Sequence, residues 1–376
     1  MEIWTKMVEN GSPIDIIYTD FAKAFDRVPH CRLIQKLKNL GIVGNTLEWI
    51  EAFLSGRSQC VRVENELSSW EAVKSGIPQG SVLGPILFVC FINDLPDIVE
   101  SMCQLFADDA KLFRSTKTSE DITTLQTDIN KLMAWSKEWQ LPFNVDKCKS
   151  LHIGRSNRRN HYEMGGEKLG QLCEQKDLGV LVDDQLKFHK HTAAAVKKAN
   201  SILGLVKKSF ALLDSNTVPT LYTSLVRPHL EYGNVVWGPF FKEDIKSVEK
   251  VQRRATKLVK EIKDLSYEDR LRALGMPSLV HRRRRGDMIF SYKIMTGKVN
   301  MEKEDFFKIS NLTTRGHRFK IFKEHGTKLP RIQSFSQRIV KAWNALPPKV
   351  VSEATTNGFK NKLDDHWKNE RYHTPF

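Results

Sequence analysis

The stretch LFADDAKLF, Leu105 to Phe113, constrains the fold more than any other part of the chain. Two adjacent aspartates stand between two short apolar arms, CQLFA and AKLF. Burying one carboxylate is costly, and a like charge beside it adds repulsion. The arms therefore read as the strands of a tight hairpin with Asp108 and Asp109 at its tip, a pair expected to be closed in by apolar neighbours. Taken alone, such a pair is most often plain turn chemistry.

A third aspartate sharpens the reading. IDIIYTDF, Ile14 to Phe21, is rich in β-branched and aromatic residues and predicts a strand ending at Asp20. Asp108 follows 108 − 20 = 88 residues later. If the two strands are neighbours, their carboxylates converge at one end of a sheet and repel unless a cation lies between them. Hard oxygen donors select Mg²⁺ or Mn²⁺. Two such ions can activate a 3′-hydroxyl and stabilise a departing pyrophosphate in one in-line displacement.

Between these strands, apolar spacing predicts a helix over Cys31–Leu40, stopped by Gly41, and another from Thr46, as N-cap, to Gly56. CVRVENELSSWEAV predicts a hairpin, and Pro85–Ile98 a buried helix. Ser119 is expected to cap a long amphipathic helix through Trp139, and KSLHIG to be a strand. This order is compatible with a split βαβ arrangement. GRSNRRNHYEMGGEK, from Gly154, is a candidate boundary. After the strand and turn of DLGVLVDDQLKF, helical patterning runs from His189 to about Thr296. Short helices and basic loops follow from Lys298, and HRRRRG, His281 to Gly286, is the sharpest charge run.

The formal net charge is +15, from 59 Lys and Arg against 44 Asp and Glu, which favours a polyanionic partner, nucleic acid before anionic membrane. The longest apolar run, ILFVCFI at Ile86–Ile92, is far short of the ~20 residues of a membrane span. The N-terminus has no signal-peptide core, and none of the six cysteines forms a C-x-x-C pair, so the expected compartment is reducing and intracellular, nucleus or cytoplasm. His189 and His191 lack a third ligand at metal-site spacing, and no P-loop or G-x-S-x-G elbow is written.

YTDFAKAFDRVPH, GIPQGSVLGPILFVCFIND, LFADDAKLF and WQLPFNVDKCKSLHIG stand in this order. Together they resemble the palm motifs of reverse transcriptases of non-LTR, LINE-type retrotransposons of the jockey and chicken-repeat kind. The resemblance continues through KDLGVLVDDQLKFHKH, LVRPHLEYGNVVWGP and FSQRIVKAWNALPPKVV, nearly the whole chain. It implies an α+β fold: a polymerase palm (split βαβ, ferredoxin-like), then a mostly helical thumb and a basic C-terminal region. The expected segments are 1–155 palm, 156–190 connection and primer grip, 191–297 thumb and 298–376 C-terminal region.

The resemblance also implies roles. Asp20 and Asp108 bind two Mg²⁺ or Mn²⁺ ions, Phe21 lends a backbone carbonyl, and Asp109 adjoins the site. Phe25 is placed as an aromatic gate against the 2′-hydroxyl; a core phenylalanine is the plainer alternative. Pro78, Gln79 and Gly80 form a loop near the incoming nucleotide, unless Gln79 merely turns the chain. Lys147 matches a lysine that protonates pyrophosphate, with an ordinary surface lysine as the alternative. Leu178 and Gly179 belong to the primer-grip turn. Lys197, Lys198, Lys207, Lys208, Arg253 and Arg254 are candidates for duplex backbone contact.

The implied activity is RNA-directed DNA synthesis from deoxynucleoside triphosphates on an RNA template and a DNA primer, with no membrane and no specific protein partner. Only 19 residues precede Asp20, too few for the family's fingers. The chain is accordingly expected to bind RNA or RNA–DNA duplex and to extend a primer barely; robust extension would instead mean that another basic segment replaces the fingers, with HRRRRG the first suspect. A folded, catalytically silent nucleic-acid-binding remnant is the alternative. A nucleotide cyclase on the same palm is opposed by the thumb-like helices and the PQG loop.

Overall fold

A computed structural model of the chain describes residues 1–310 and 316–374. Its contacts divide them into two compact units. One is Gly11–Cys173; the other joins Met1–Asn10 to Glu174–Phe376. This division is coarser than the four segments expected from sequence, which remain proposals.

The chain opens with helix α1 (Glu2–Glu9), followed by strand β1 (Ile14–Thr19), helices α2 (His30–Asn39), α3 (Gly44–Leu54) and α4 (Leu83–Ile92), strands β2 (Met102–Phe106) and β3 (Asp109–Ser115), helix α5 (Ser119–Trp139), and strands β4 (Lys149–Ile153) and β5 (Gly170–Leu172). The Gly11–Cys173 unit is built on one five-stranded sheet of order β5-β4-β1-β3-β2. β1 is central and antiparallel to both neighbours, pairing Thr19 with Ala110 on β3 and Tyr18 with Lys149 on β4. β5 lies parallel to β4. Ile17 and Leu112 of the sheet pack in one core with Leu33, Phe88, Ile129 and Trp135 of the helices.

Three helix details differ from the sequence expectation. Thr118, not Ser119, caps α5: its hydroxyl accepts from Asp121 N at 3.2 Å, and its own N–H donates to Asp121 Oδ2 at 2.9 Å. This reciprocal box satisfies two otherwise orphaned groups, which is why the helix begins there. α3 begins at Gly44 rather than after Thr46, with Val43 at its N-cap and no side-chain cap. The helix expected over Pro85–Ile98 is two pieces, α4 and a 3₁₀ turn at Leu95–Ile98, since Pro96 lacks the N–H to continue an α-helix. Nor is α4 wholly buried: Ile86 and Val89 are 55% and 46% exposed. The expected hairpin at Cys60–Val73 is present as two short pairings, Arg62–Val63 with Glu66–Leu67 and Ser58–Gln59 with Glu71–Ala72.

The second unit carries β6 (Glu174–Asp177) and β7 (Val180–Asp183) as a hairpin, then helices α6 (His189–Ser209), α7 (Lys242–Thr256), α8 (Leu279–Met295) and α9 (Thr356–His366), with shorter turns between. It holds two cores. One gathers Leu203, Val226, Val251 and Leu271; the other gathers Tyr292, Trp343 and Phe359. α1 belongs to this unit by specific contacts. Glu9 accepts from the N–H groups of Thr327 and Lys328 at 2.6 and 2.9 Å, and Glu2 accepts from Ser336 Oγ at 2.6 Å and pairs with Arg331.

HRRRRG lies inside α8 and is not a free basic patch. Arg282 Nη2 donates to Glu231 at 2.8 Å, Arg285 Nη2 to Asp364 at 2.7 Å, and Arg284 pairs with Glu370. These guanidiniums tie α8 to its own unit. Paired in this way, the run is a poor substitute for the fingers' basic contacts.

Candidate active site

Asp20 directly follows β1, and the segment Leu141–Cys148 runs alongside it. Ala22 N donates to Pro142 O at 2.8 Å, Asn144 N to Asp20 O at 2.7 Å, and Asp20 N to the sulfur of Cys148 at 3.4 Å. The Phe21 ring is buried and stacks on Phe143 at 4.5 Å. The backbone of Asp20 is thus held at both its N–H and its carbonyl. Burial pushes the Cys148 thiol up to about 11, so it stays neutral and can donate to Asn144 O at 3.2 Å while accepting from Asp20.

The Asp20 side chain is 37% exposed, yet its Oδ2 is buried and lacks a hydrogen bond. Lys147 Nζ stands 3.3 Å from that oxygen, close enough for an ion pair but not aligned as a hydrogen bond. Asp108 and Asp109 occupy the tip of the β2–β3 hairpin as expected: Ala107 and Asp108 form the turn, and Phe106 faces Asp109. Both aspartates are exposed, which corrects the expectation that apolar arms enclose them; the hairpin projects its tip into water and avoids the desolvation cost. Ala107 sits at φ +51°, a left-handed conformation unusual for a residue with a Cβ.

The Thr19–Ala110 pairing, continued by one residue, sets Asp20 across from Asp109, with Asp108 next in the turn. A buried, unbonded carboxylate oxygen beside two exposed carboxylates is a hard-oxygen donor set suited to a divalent cation. Among the described residues, no three His, Cys, Asp or Glu side chains already form a cluster able to hold a metal ion. An ion would have to draw the exposed aspartates inward.

Phe25 is half-buried and stacks on Phe88 at 4.7 Å. Its carbonyl accepts from Ile77 N at 2.7 Å, which brings the start of the PQG loop to Phe25. Gln79 Nε2 donates to Asp26 Oδ1 at 3.0 Å. Pro78 O accepts from Ser81 Oγ at 2.8 Å, and Gly80 takes φ +84°. Gly76 is required here: at φ +94°, a Cβ would lie 2.7 Å from Asp26 O.

Leu178 and Gly179 form the β6–β7 turn, at φ 45° and 85°. Tyr232 OH donates to Leu178 O at 2.9 Å, and a Cβ on Gly179 would meet the Tyr232 ring at 2.9 Å. Lys197, Lys198, Lys207 and Lys208 are exposed on α6. The two arginines are engaged within their unit. Arg254 Nη1 donates to Asn200 at 2.9 Å, and Arg253 stacks over Tyr267 at 4.7 Å.

Sequence reasoning missed a buried polar knot on the sheet. Asp15 accepts from His152 Nδ1 at 2.8 Å, Tyr162 OH at 2.6 Å, Asn157 Nδ2 at 2.7 Å and Asn160 Nδ2 at 3.1 Å. Burial pushes the Asp15 carboxyl up, but these hydrogen bonds outweigh it and hold it below the usual range. Ser150 Oγ, 3.3 Å from His152 Nε2, completes a Ser–His–Asp series. All three are at most 1% exposed, so no substrate reaches them and the knot pins the segment 157–162 to the sheet. A charged residue inside an apolar strand was the available signal.

The reverse transcriptase (RNA-dependent DNA polymerase) family matches residues 6–205. The probable RNA-directed DNA polymerase from transposon BS of Drosophila melanogaster is 31% identical over 262 residues, covering 65% of this chain and 28% of that protein. The RNA-directed DNA polymerase from mobile element jockey of Drosophila funebris is 30% identical over 238 residues, covering 59% of this chain and 25% of that protein. The chain thus spans little more than a quarter of these relatives' length. An apo telomerase structure from Candida tropicalis overlaps 75% of this chain and 49% of its own at 9% identity, with a TM-score of only 0.38, too low to bear on the fold. With its motifs arranged around the central strand and the family spanning more than half of its length, the chain belongs to the reverse transcriptase family.

Proposed function

We propose that this chain carries the nucleotidyl-transfer centre of an RNA-directed DNA polymerase of a non-LTR retrotransposon, with RNA template, DNA primer and deoxynucleoside triphosphates as its ligands. The observation that carries the reading is Asp20: a carboxylate with an unbonded buried oxygen at the end of the central strand, next in register to the Asp108–Asp109 hairpin tip. Reverse transcriptases use divalent metals, and Asp20, Asp108 and the carbonyl of Phe21 are the groups proposed to hold two ions here, with Asp109 beside them. Such ions supply Lewis-acid activation of the 3′-hydroxyl and charge neutralisation on the phosphates. In the transfer, the 3′-hydroxyl gives up its proton to water, its oxygen bonds to the α-phosphorus, the bond from that phosphorus to the oxygen bridging it to the β-phosphate breaks, and pyrophosphate leaves.

The protein's own groups position and protonate. Phe25, braced on Phe88, and Gln79, braced on Asp26, flank the nucleotide sugar and base. Lys147 delivers a proton to the departing pyrophosphate once it is released from Asp20. The turn at Leu178–Gly179 steadies the primer, and the exposed lysines of α6 contact duplex phosphates.

The test pairs Mn²⁺ binding, read by electron paramagnetic resonance, with primer extension on an RNA template. Asp20→Asn and Asp108→Asn are each expected to lose Mn²⁺ binding and any extension that the unaltered chain supports. Retention of both by Asp108→Asn refutes the assignment. Binding of RNA–DNA duplex by the unaltered chain, with neither metal binding nor extension, selects the silent binding protein instead.

A further inference from the structure

A basic site lies in the Gly11–Cys173 unit, apart from its aspartates. An open cleft of about 780 Å³ is lined by the start of α2, the loop before the PQG motif, the end of α5 and Phe143. Its walls carry Arg27, His30, Lys74 and Lys137, and no lining residue is acidic. Arg27, Lys74 and Lys137 are exposed, and among the described residues no side-chain hydrogen bond or ion pair engages any of them.

Two carboxylates adjoin these residues in sequence and neither lines the cleft: Asp26 accepts from Gln79 at 3.0 Å, and Glu138 bears on the Lys36 ammonium. His30 is also fixed: its Nε2–H donates to Gly76 O at 2.7 Å, so its other nitrogen, Nδ1, is an acceptor and offers no proton to a phosphate oxygen. Like charges gathered without a counter-charge repel one another, and a cleft of one sign concentrates its field on an incoming anion. The volume falls within the range of small-ligand sites and admits a triphosphate or a short stretch of nucleic-acid backbone.

We infer that this cleft is an oxyanion site for phosphate groups, held by Arg27, Lys74 and Lys137, separate from the aspartates of the catalytic centre. Arg27 offers its planar fork to two phosphate oxygens, whereas the two lysines act as point charges. The site shares Phe143 with the stack that underlies the Asp20 segment, so an occupied cleft stiffens that segment without touching its carboxylates. The phosphate comes either from a nucleic-acid backbone or from a free polyphosphate.

The full chain is assayed in EDTA at low salt, so failure of the metal centre cannot mask the result. The probes are inorganic tripolyphosphate and a labelled oligothymidylate about twelve nucleotides long. The variant Arg27→Gln/Lys74→Gln/Lys137→Gln is compared with Lys263→Gln/Lys341→Gln/Lys349→Gln, which removes the same charge from exposed positions elsewhere. The cleft variant is expected to lose about tenfold or more in affinity, and the control about threefold or less. Loss for tripolyphosphate alone assigns the site to a free polyphosphate; loss for the oligonucleotide, with or without tripolyphosphate, assigns it to the backbone. Equal losses in the cleft variant and the control overturn the inference. Melting curves confirm folding, and the single substitutions, each expected to lose part of the effect, decide the matter if the triple variant unfolds.

Discussion

Lys147 Nζ lies 3.3 Å from the Asp20 oxygen that has no hydrogen bond. A cation there opposes a second cation on the same carboxylate. Lys147→Met is therefore expected to tighten Mn²⁺ binding by roughly fivefold, since a partly solvated like charge is removed. If Lys147 also protonates pyrophosphate, the same variant slows extension by about 10²- to 10⁴-fold. Tighter ion binding with slower turnover is the expected split. Weaker Mn²⁺ binding in Lys147→Met would show that the lysine supports the site instead of competing with the ion.

The contact between Gln79 and Asp26 predicts a nucleotide-affinity effect. Asp26→Ala frees the Gln79 amide to rotate, and an exposed hydrogen bond of this kind contributes about 1 kcal/mol. The KM for deoxynucleotide should rise roughly fivefold, with kcat nearly unchanged, and Asp26→Asn should restore most of the loss. An unchanged KM in Asp26→Ala would remove Asp26 as a positioning residue.

The Asp15 knot predicts that the Gly11–Cys173 unit is acid-labile. The Asp15 carboxyl is held below its usual range, as is that of Asp128. Burial pushes Asp128 up, but the N–H groups of Glu100 and Ser101 and the Lys131 ammonium outweigh it. A carboxyl with a depressed folded value stabilises above its unfolded value and loses that contribution as pH falls through the folded value. Unfolding followed through tryptophan emission should therefore steepen below the ordinary carboxylate range, near 3.8. Asp15→Ala removes the shared acceptor of four donors, of which Asn157 keeps the Ile14 and Ile153 carbonyls, and should cost about 3–5 kcal/mol at neutral pH. A loss below 1 kcal/mol would mean that water replaces the carboxylate in the knot.

The strand at Ile14, the Asp108 hairpin, α2 and α5 were legible because each pairs a clear period with turn or cap residues. Boundaries were less so. Thr118 and Ser119 are both good caps, and only the side-chain geometry of Asp121 chooses between them. The docking of α1 in the C-terminal unit left no periodic trace, because it depends on Glu2 and Glu9 meeting groups more than 300 residues away. The pairing of HRRRRG was illegible for a related reason: its counter-charges, Glu231, Asp364 and Glu370, are scattered along the chain. Cys148 was unreadable as a support for Asp20, since a lone cysteine carries no spacing.

The exposed lysines of α6 predict a salt-dependent contact with duplex. Each phosphate neutralised releases counterions, and log affinity falls with log salt by about 0.9 per contact on B-form DNA. Replacing Lys197, Lys198, Lys207 and Lys208 with glutamine should reduce the slope for RNA–DNA duplex by up to roughly 3.6, with little dependence on sequence. Arg253 and Arg254, engaged with Tyr267 and Asn200, should contribute less. A slope unchanged by the four substitutions would leave these lysines as a solvated helix face.

The last prediction concerns the Glu174–Phe376 unit and runs through buried histidines. Burial pushes His281 down to about 4, Asp364 nearby opposes that shift, and Arg285, Arg371 and Arg284 reinforce it. Burial also lowers His191, whose Nδ1 accepts from Leu181 N at 3.1 Å, and His317, whose Nδ1 accepts from Phe319 N at 3.2 Å. Those acceptor roles require neutral rings. The unfolded chain takes up protons near the ordinary value of 6.5, while folded His281 waits until about 4. Stability is therefore whole above pH 6.5 and is lost as pH falls from there toward 4. For His281 the loss reaches about 3 kcal/mol at the acid end. His281→Phe removes that titration and keeps an aromatic ring beside Trp367. The drop in melting temperature between pH 7.5 and 4.5 should shrink by about 6–12 °C in this variant, the His191 and His317 contributions remaining. An identical drop in the variant and the unaltered chain would show that His281 is solvated and protonates freely in the folded unit.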